Sequence, residues 1–357
     1  MRRPSGPSLT DVAKAAGVGT GTAGRALGGY GKVRPSTRAH VLAVAESMGY
    51  RPNRLAQGMI AGRTRTIGVV CADVESPFFS RMVRGISDVA SENGYGTLLT
   101  NSDENVVLER DALEMLLESR VAGVVVTPAD VHNVKHLKAA VADGFPVVLA
   151  DRLTSVKADS VLIDSVAAMH EAVTALLKHG HRRVAILAEL RSERDLAWQD
   201  EAGRSRRSGT PLSPSAARVA GYIQAHIEAG VPVDPELVRA TREYSAEAAT
   251  AETLELLSSS CAPTALIAAD DVMSIGAYRA IVDARIRVPR DLSFVAFDDL
   301  PWLTLVKPQL SVVRQPVYEI GTRAATLLFE RINGNVAKPR RVVLPYEFIA
   351  RGSVASL

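Results

Sequence analysis

A chain of 357 residues, 47% hydrophobic and 23% charged, is long enough for two to three domains with large cores. That excludes a peptide hormone or a disulfide-stapled mini-protein. No apolar run approaches the ~18 residues that cross a bilayer, and the arginines of MRRPSGPSLTDV are followed by no apolar signal core, so a cytoplasmic protein with no membrane partner is expected. The net charge of +3 conceals a division: residues 1–65 hold eleven Lys/Arg against two acids, leaving +9 there and −6 in the rest. A basic module ahead of an acidic body points to a polyanion-binding head joined to a body with another task.

In chain order, Ser8 and Asp11 have the spacing of a capping box, and Val12, Ala13 and Ala16 follow as the apolar stripe of a short helix ending at Gly17. Thr20–Leu27 forms a second helix, with Ala23 and Leu27 inward and Thr20, Gly21, Thr22 and Arg25 on the other side. A third begins at Pro35-Ser36-Thr37 and turns Val41, Leu42 and Ala45 inward until Gly49. Three short helices with a glycine turn between the first two describe a helix-turn-helix head, whose second helix enters the major groove. The competing motif Gly19-x-Gly21-x-x-Gly24 fits a dinucleotide fingerprint. It lacks the buried strand before it and the long helix after it that the fingerprint requires. Beyond the head, Leu55 and Met59 lie one helical turn apart between Arg54, Arg63 and Arg65, an apolar wedge among phosphate-seeking charges.

From residue 66, apolar runs alternate with helical stretches: TIGVVCAD, Phe78–Asn93, GYGTLLTN, Val106–Ser119, VAGVVVT, Val134–Asp143 and PVVLAD, then RVAILAE, Ala217–Ala229, TALIAAD, Val272–Ala284 and DLSFVAF. This order implies parallel sheets covered by helices on both faces, and the length implies two lobes with a cleft between them. Ligands of such sheets sit beyond the carboxyl ends of the strands, where Asp73, Asp151, Asp164, Asp270, Asp271 and Asp298 stand. Each alone reads as a helix cap. Carboxylates facing one cleft with Arg218, Phe78, Phe79 and Tyr244 would together bind a polyol: carboxylates accept from hydroxyls, arginine donates, and an aromatic covers the apolar sugar face. The stretch 191–214, rich in charge, Ser, Gly and Pro, reads as a flexible loop, and its Trp198 is a candidate lid.

Other chemistries find little support. Cys71 and Cys261 each sit in an apolar run and read as small core hydrophobes. His132 and His136 fall four apart on an expected helix without a third ligand, so they read as solvent-exposed and no metal is expected. No GxSxG, P-loop or HExxH occurs, and nothing marks one cleft carboxylate as a protonated glycosidase acid, so neither an enzyme nor a cofactor is expected. A sugar-transport protein would fit the body but not the basic head.

The run LTDVAKAAGVGTGTAGRALGG, followed by VRPSTRAHVLAVAESMGYRPNRLAQGMIAGRTRTIGVV, resembles the head and hinge of the LacI-type transcription regulators. The resemblance continues through PFF, RVAGY, AADDVMSIGAYRA, VPRDLSFVAFDD and LPYEFIARGS. It implies a fold of the α/β class: an all-α helix-turn-helix head with a hinge helix, then a two-lobed core of doubly wound parallel sheets similar to periplasmic binding proteins. The expected limits are 1–50 for the head, 51–65 for the hinge and 66–357 for the core.

By this resemblance Thr20 and Gly21 occupy base-reading positions, Thr22 a phosphate contact and Arg25 a base or backbone contact. Arg34, Thr37, Arg38 and Asn53 join the DNA-contacting set, as do the hinge residues Arg54, Leu55 and Met59, the last at an intercalating position. Two glycines depart from the family pattern: Gly19 and Gly24 stand where serine is usual, which removes a cap and a polar anchor. Arg218 corresponds to the effector-binding arginine, Asp270 and Asp298 to polar effector contacts, Tyr244 to an aromatic wall and Phe78-Phe79 to entrance aromatics; Asp151 completes the expected effector set. The implied partners are pseudo-palindromic operator DNA, a small-molecule effector of the sugar class and a second copy of the chain.

Overall fold

The computed structural model describes residues 7–28, 31–50, 64–191 and 211–357. The expectations for Asn53, Arg54, Leu55 and Met59, and for Trp198 and most of the stretch 191–214, lie outside those residues. The chain divides into two units, Met1–Thr66 with Glu118–Ala122, and Ile67–Leu117 with Gly123–Leu357.

The first unit contains helices α1 (Leu9–Ala15), α2 (Thr20–Gly28) and α3 (Pro35–Ser47). The capping box is formed: the Asp11 amide donates to Ser8 Oγ at 3.3 Å and the Ser8 amide to Asp11 Oδ2 at 2.8 Å. Gly17 makes the turn between α1 and α2 with φ +64°, a conformation glycine adopts without steric cost. Val12, Ala13, Ala16, Ala23, Ala26, Val41 and Ala45 form the core. Two expectations are corrected. Ala26 is buried where Leu27 is only half-buried, and Leu42 is 47% exposed. On α3 the step from Val41 to Ala45 is close to one helical turn, which carries Leu42 about 100° away from the inner face.

The second unit holds two six-stranded sheets. Lobe 1 contains β1 (Thr66–Cys71), β2 (Gly96–Asn101), β3 (Val124–Val126), β4 (Val147–Ala150), β5 (Asp159–Ile163) and β11 (Arg341–Leu344), in the order β11-β5-β4-β3-β1-β2. Lobe 2 contains β6 (Val184–Glu189), β7 (Val238–Thr241), β8 (Ala265–Ala268), β9 (Ser293–Phe297), β10 (Ser311–Arg314) and β12 (Glu347–Ile349), in the order β12-β10-β9-β8-β6-β7. Their central strands VVV, VVLA and ALIA are buried along their whole length, as strands covered by helices on both faces must be. The pairs β11-β5, β5-β4, β4-β3 and β3-β1 of lobe 1 and β10-β9, β9-β8, β8-β6 and β6-β7 of lobe 2 are parallel, and β10 with β12 is antiparallel.

The helices are α4 (Pro77–Glu92), α5 (Val106–Glu118), α6 (Lys135–Ala142), α7 (Ser165–Lys178), α8 (Pro214–Glu228), α9 (Ala246–Ser258), α10 (Asp271–Asp283) and α11 (Val317–Ile332). Two of them exchange lobes. Helix α7 follows β5 of lobe 1 but packs on α8 of lobe 2, and α11 follows β10 of lobe 2 but packs on α4 of lobe 1. Glycines set both contacts: a Cβ on Gly321 would lie 2.1 Å from the Met82 carbonyl oxygen, and one on Gly221 2.2 Å from that of Val166. The lobes are thereby braced by helices that each of them supplies to the other.

The expected alternation is present, but the sequence pattern placed nothing between Asp151 and Val184, where β5 and α7 lie, and likewise omitted β7, α9 and α11. Two further corrections concern sulfur and imidazole. Cys71 is buried, and burial pushes its thiol up to about 12, whereas Cys261 is only half-buried. His132 precedes α6 instead of lying on it, and His136 is far from solvent-exposed: its Nε2 sits 2.5 Å from Oε1 of the buried Glu109. No group of metal-ligating side chains forms among the described residues.

Candidate functional site

Between the lobes, at the carboxyl ends of the strands, lies a cavity of about 230 Å³. That is below the ~300–1,000 Å³ of pockets for drug-sized molecules, and so suits a small ligand. All seven expected effector residues reach it. Phe78 and Phe79, in the first turn of α4, are 7% and 3% exposed and pack edge to face with centroids 5.0 Å apart. Both rings are buried and line the cavity.

Two aspartates occupy equivalent places in the two lobes. Asp151 follows β4 and Asp298 follows β9, with φ of +67° and +68°, and their amides donate to Val161 and Val313 carbonyls at 2.8 and 2.9 Å. Asp tolerates this left-handed conformation better than most residues. Here it ends the strand and holds a carboxylate at the mouth of each sheet. Asp270, after β8, caps α10 through Oδ1, which accepts from the Met273 amide at 2.8 Å. Its Oδ2 is buried without a partner. Thus the cap reading and the site reading are both satisfied, by different oxygens of one side chain.

Arg218 on α8 is 4% exposed, gives Nη1 to the Ala269 carbonyl at 2.7 Å and lies 4.0 Å over the Phe297 ring. Its Nε has no partner. Tyr244 donates its hydroxyl to Asp271 Oδ1 at 2.6 Å, and Ser76 donates to Oδ2 of the same carboxylate at 2.9 Å. Gln315 gives its amide nitrogen to Asp298 Oδ1 at 2.8 Å and leaves Oε1 unpartnered in the interior. A buried donor on Arg218 and buried acceptors on Asp270 and Gln315 are costly to leave unmet. A ligand rich in hydroxyls would satisfy all three.

The strand-end rule also selected Asp73 and Asp164, which do not line the cavity. Asp73 accepts from the Glu75 amide, and Asp164 caps α7 through the Ala167 amide. Asp271, which the same rule selected, does line the cavity, and the charged and amide residues that sequence reasoning left unassigned are Glu104, Asp130, Arg152, Glu189, Arg191 and Gln315. Glu189 and Gln315 stand at the ends of β6 and β10, where the same rule applied to those strands finds them. Arg152 bonds Glu104 through both Nη atoms, a partnership across 48 residues that no local pattern announces.

Burial foremost, then the Asp271 carboxylate, pushes Asp298 up to about 7. Burial and Asp271 also push Asp270 well up, and burial raises Asp151 against the opposing pull of Arg152 and Arg218. The folded chain therefore keeps protons that the unfolded chain releases near pH 4, and stability from this source falls as pH rises from about 4 through about 7. In Asp298→Asn, which can still accept from Gln315, the unfolding midpoint of the ligand-free protein should change less between pH 5 and 8 than in the wild type. Equal pH slopes would remove Asp298 as a source of that dependence.

In the head, Thr20, Gly21, Arg25 and Arg34 are exposed, and Thr22, Thr37 and Arg38 half-buried. Arg25 Nη2 lies 3.4 Å from Thr22 Oγ1. A Cβ on Gly19 or Gly21 would meet nothing within 4 Å, so the amino end of α2 offers a backbone surface open to close approach.

Comparison with known proteins agrees with both units. Residues 8–53 match the family described as bacterial regulatory proteins, lacI family, and residues 173–354 match a periplasmic binding protein-like domain. The chain is 33% identical over 350 residues to catabolite control protein A of Priestia megaterium, covering 97% of this chain and 98% of that one. It is 28% identical to the HTH-type transcriptional repressor CytR of Escherichia coli K12, across 100% of this chain and 98% of that protein. Among solved structures, the lac repressor dimer bound to operator and the anti-inducer ONPF superposes with a TM-score of 0.82 at 24% identity, over 98% of this chain and 100% of that one. The transcriptional regulator CelR in complex with cellobiose superposes with a TM-score of 0.69 at 29% identity, over 97% and 99%. These relatives are regulators, not enzymes, and no helix among the described residues is long and apolar enough to cross a membrane. With a helix-turn-helix head and a ligand-binding core, this chain belongs to the lacI family of transcriptional regulators.

Proposed function

We propose that the protein is a cytoplasmic, homodimeric repressor, without catalytic activity of its own, whose grip on a pseudo-palindromic operator is set by a sugar or sugar derivative held between the lobes. Residues 1–50 serve as the reading head, 51–65 as the hinge and 66–357 as the core. The observation that carries the ligand reading is the cavity itself, where the buried Arg218 Nε, Asp270 Oδ2 and Gln315 Oε1 await partners that a polyol supplies. Ligand entry draws the lobes together and changes the placement of lobe 1, to which the hinge connects. A coupling of ~1–3 kcal/mol is enough to change operator occupancy usefully.

On the DNA side, Thr20 and Arg25 supply most of the direct readout, because Gly21 has no side chain for it. Arg25 against a guanine edge contributes ~1–3 kcal/mol, so Arg25→Ala should weaken operator binding about 5- to 150-fold. Arg54 in the hinge is assigned to a phosphate. Arg54→Ala should lower the slope of log affinity against log salt by about 1. Fluorescence anisotropy of a labelled operator duplex across a salt series measures both. An unchanged slope removes Arg54 from the contacts, and full affinity in Arg25→Ala removes the assigned reading role.

A further inference from the structure

We propose that the cleft takes a small polyol bearing a protonated amine, the chemistry of an amino sugar, and turns away phosphorylated and carboxylated sugars. The inference rests on the ligand-cleft reading above and narrows it to one charge class.

Seven carboxylates and three guanidinium groups line the cavity. Two of the guanidiniums are already engaged, Arg152 with Glu104 and Arg191 with Glu189. The partners of the remaining carboxylates are mostly neutral. Asp271 takes two hydroxyls, Asp298 the Gln315 amide, Asp270 the backbone amide of Met273, and Asp130 the amides of His132 and Asn133. Neutral donors satisfy hydrogen-bonding capacity without cancelling charge, and in a buried cleft uncancelled charge is expensive. Arg218 is left to balance Asp270 and Asp298, and it shares Asp151 with Arg152, whose Nε lies 3.6 Å from Asp151 Oδ2.

The place where an anion would dock is also taken. The amino end of α10 is capped by Asp270 and carries Asp271 in its first turn, so its partial positive charge is already answered by two carboxylates. Unpartnered Asp270 Oδ2 lies within the electrostatic reach of Asp271 and Glu189. An ammonium group there would meet an open acceptor and the excess negative charge at once, while the ligand hydroxyls meet Gln315 Oε1 and the ring oxygen meets Arg218 Nε. The upward displacement of Asp270 and Asp298 accords with this: in the absence of a cation, the cleft lowers its own charge by holding protons.

The test is isothermal titration of the full-length protein with D-glucose, D-glucosamine and D-glucose 6-phosphate, and with the corresponding galactose and mannose sets. The expected result is that, in the best-fitting set, the amino sugar binds about tenfold or more tightly than its hydroxyl parent, as an added charge-assisted bond provides. The phosphate should not bind. Binding of the amino sugar should release protons, seen as heats that differ between buffers of different ionisation enthalpy. Asp270→Asn, which can still cap α10, should bring amino and parent sugars to within about threefold. A neutral parent or a phosphate that binds as tightly as the amino sugar overturns the charge-class inference and leaves the ligand-cleft reading intact. No binding by any sugar of any set overturns both.

Discussion

Arg218→Ala should be among the most damaging single changes in the core at alkaline pH and far milder in mild acid. Its guanidinium is 4% exposed and acts on Asp151, Asp270 and Asp298, all of which are buried. Removing one partner of a buried charge cluster typically costs about 3–5 kcal/mol, because the remaining charges are left uncompensated. At pH 8 the variant should lose about that much unfolding free energy. Near pH 5 the carboxylates take up protons instead, and most of the loss should disappear. Denaturant unfolding at the two pH values measures the difference. A penalty that is the same at both would mean that Arg218 stabilises by packing on Phe297 and not by charge. The same variant should bind no cleft ligand, since the unpartnered Nε goes with the side chain.

Gly321→Ala should destabilise the core by about 3 kcal/mol or more, at or beyond the upper end of ordinary overpacking. The added methyl would lie 2.1 Å from the Met82 carbonyl oxygen and 3.2 Å from the Ile86 amide nitrogen, and neither obstacle is a side chain that can rotate away. Helices α4 and α11 would have to separate. Gly85 makes the reciprocal contact, with its Cβ position 2.4 Å from the Tyr318 oxygen, so Gly85→Ala should behave alike. Because α11 comes from a strand of lobe 2 and packs on lobe 1, the shift should also disturb lobe closure. Urea unfolding with a common m-value is the measurement; a loss under 1 kcal/mol would mean that the two helices can slide apart at little cost.

What the sequence revealed and what it concealed have physical reasons. Continuous apolar runs such as VVV and VVLA announce strands buried on both faces, and glycine turns with a capping box announce the head. Strand-end aspartates could be found because a parallel sheet places its ligands at its carboxyl edge, which selected Asp151, Asp270 and Asp298. Of the elements without expectation, β5, α7 and α11 belong to the exchange of helices between lobes, while β7 and α9 lie within lobe 2. Helix α7 is apolar on a broad front because it is buried against α8, and long-range topology has no local period. Leu42 and His136 were misplaced for a related reason. One lies a third of a turn off the inner face, and the other is drawn inward by Glu109, 27 residues away. Glu104 and Arg152 meet only after the lobe has folded.

Selection of binding sites from random duplex DNA by the full-length protein, at near-physiological salt and with or without the sugar panel, measures both the proposed operator reading through α2 and its control by a ligand in the cleft. The expected result is enrichment of a pseudo-palindrome of two half-sites around a central pyrimidine–purine step, with yield that changes when the cleft ligand is present. Failure to enrich any duplex in either condition would overturn the operator reading, and enrichment indifferent to every sugar that binds the cleft would overturn the control by ligand.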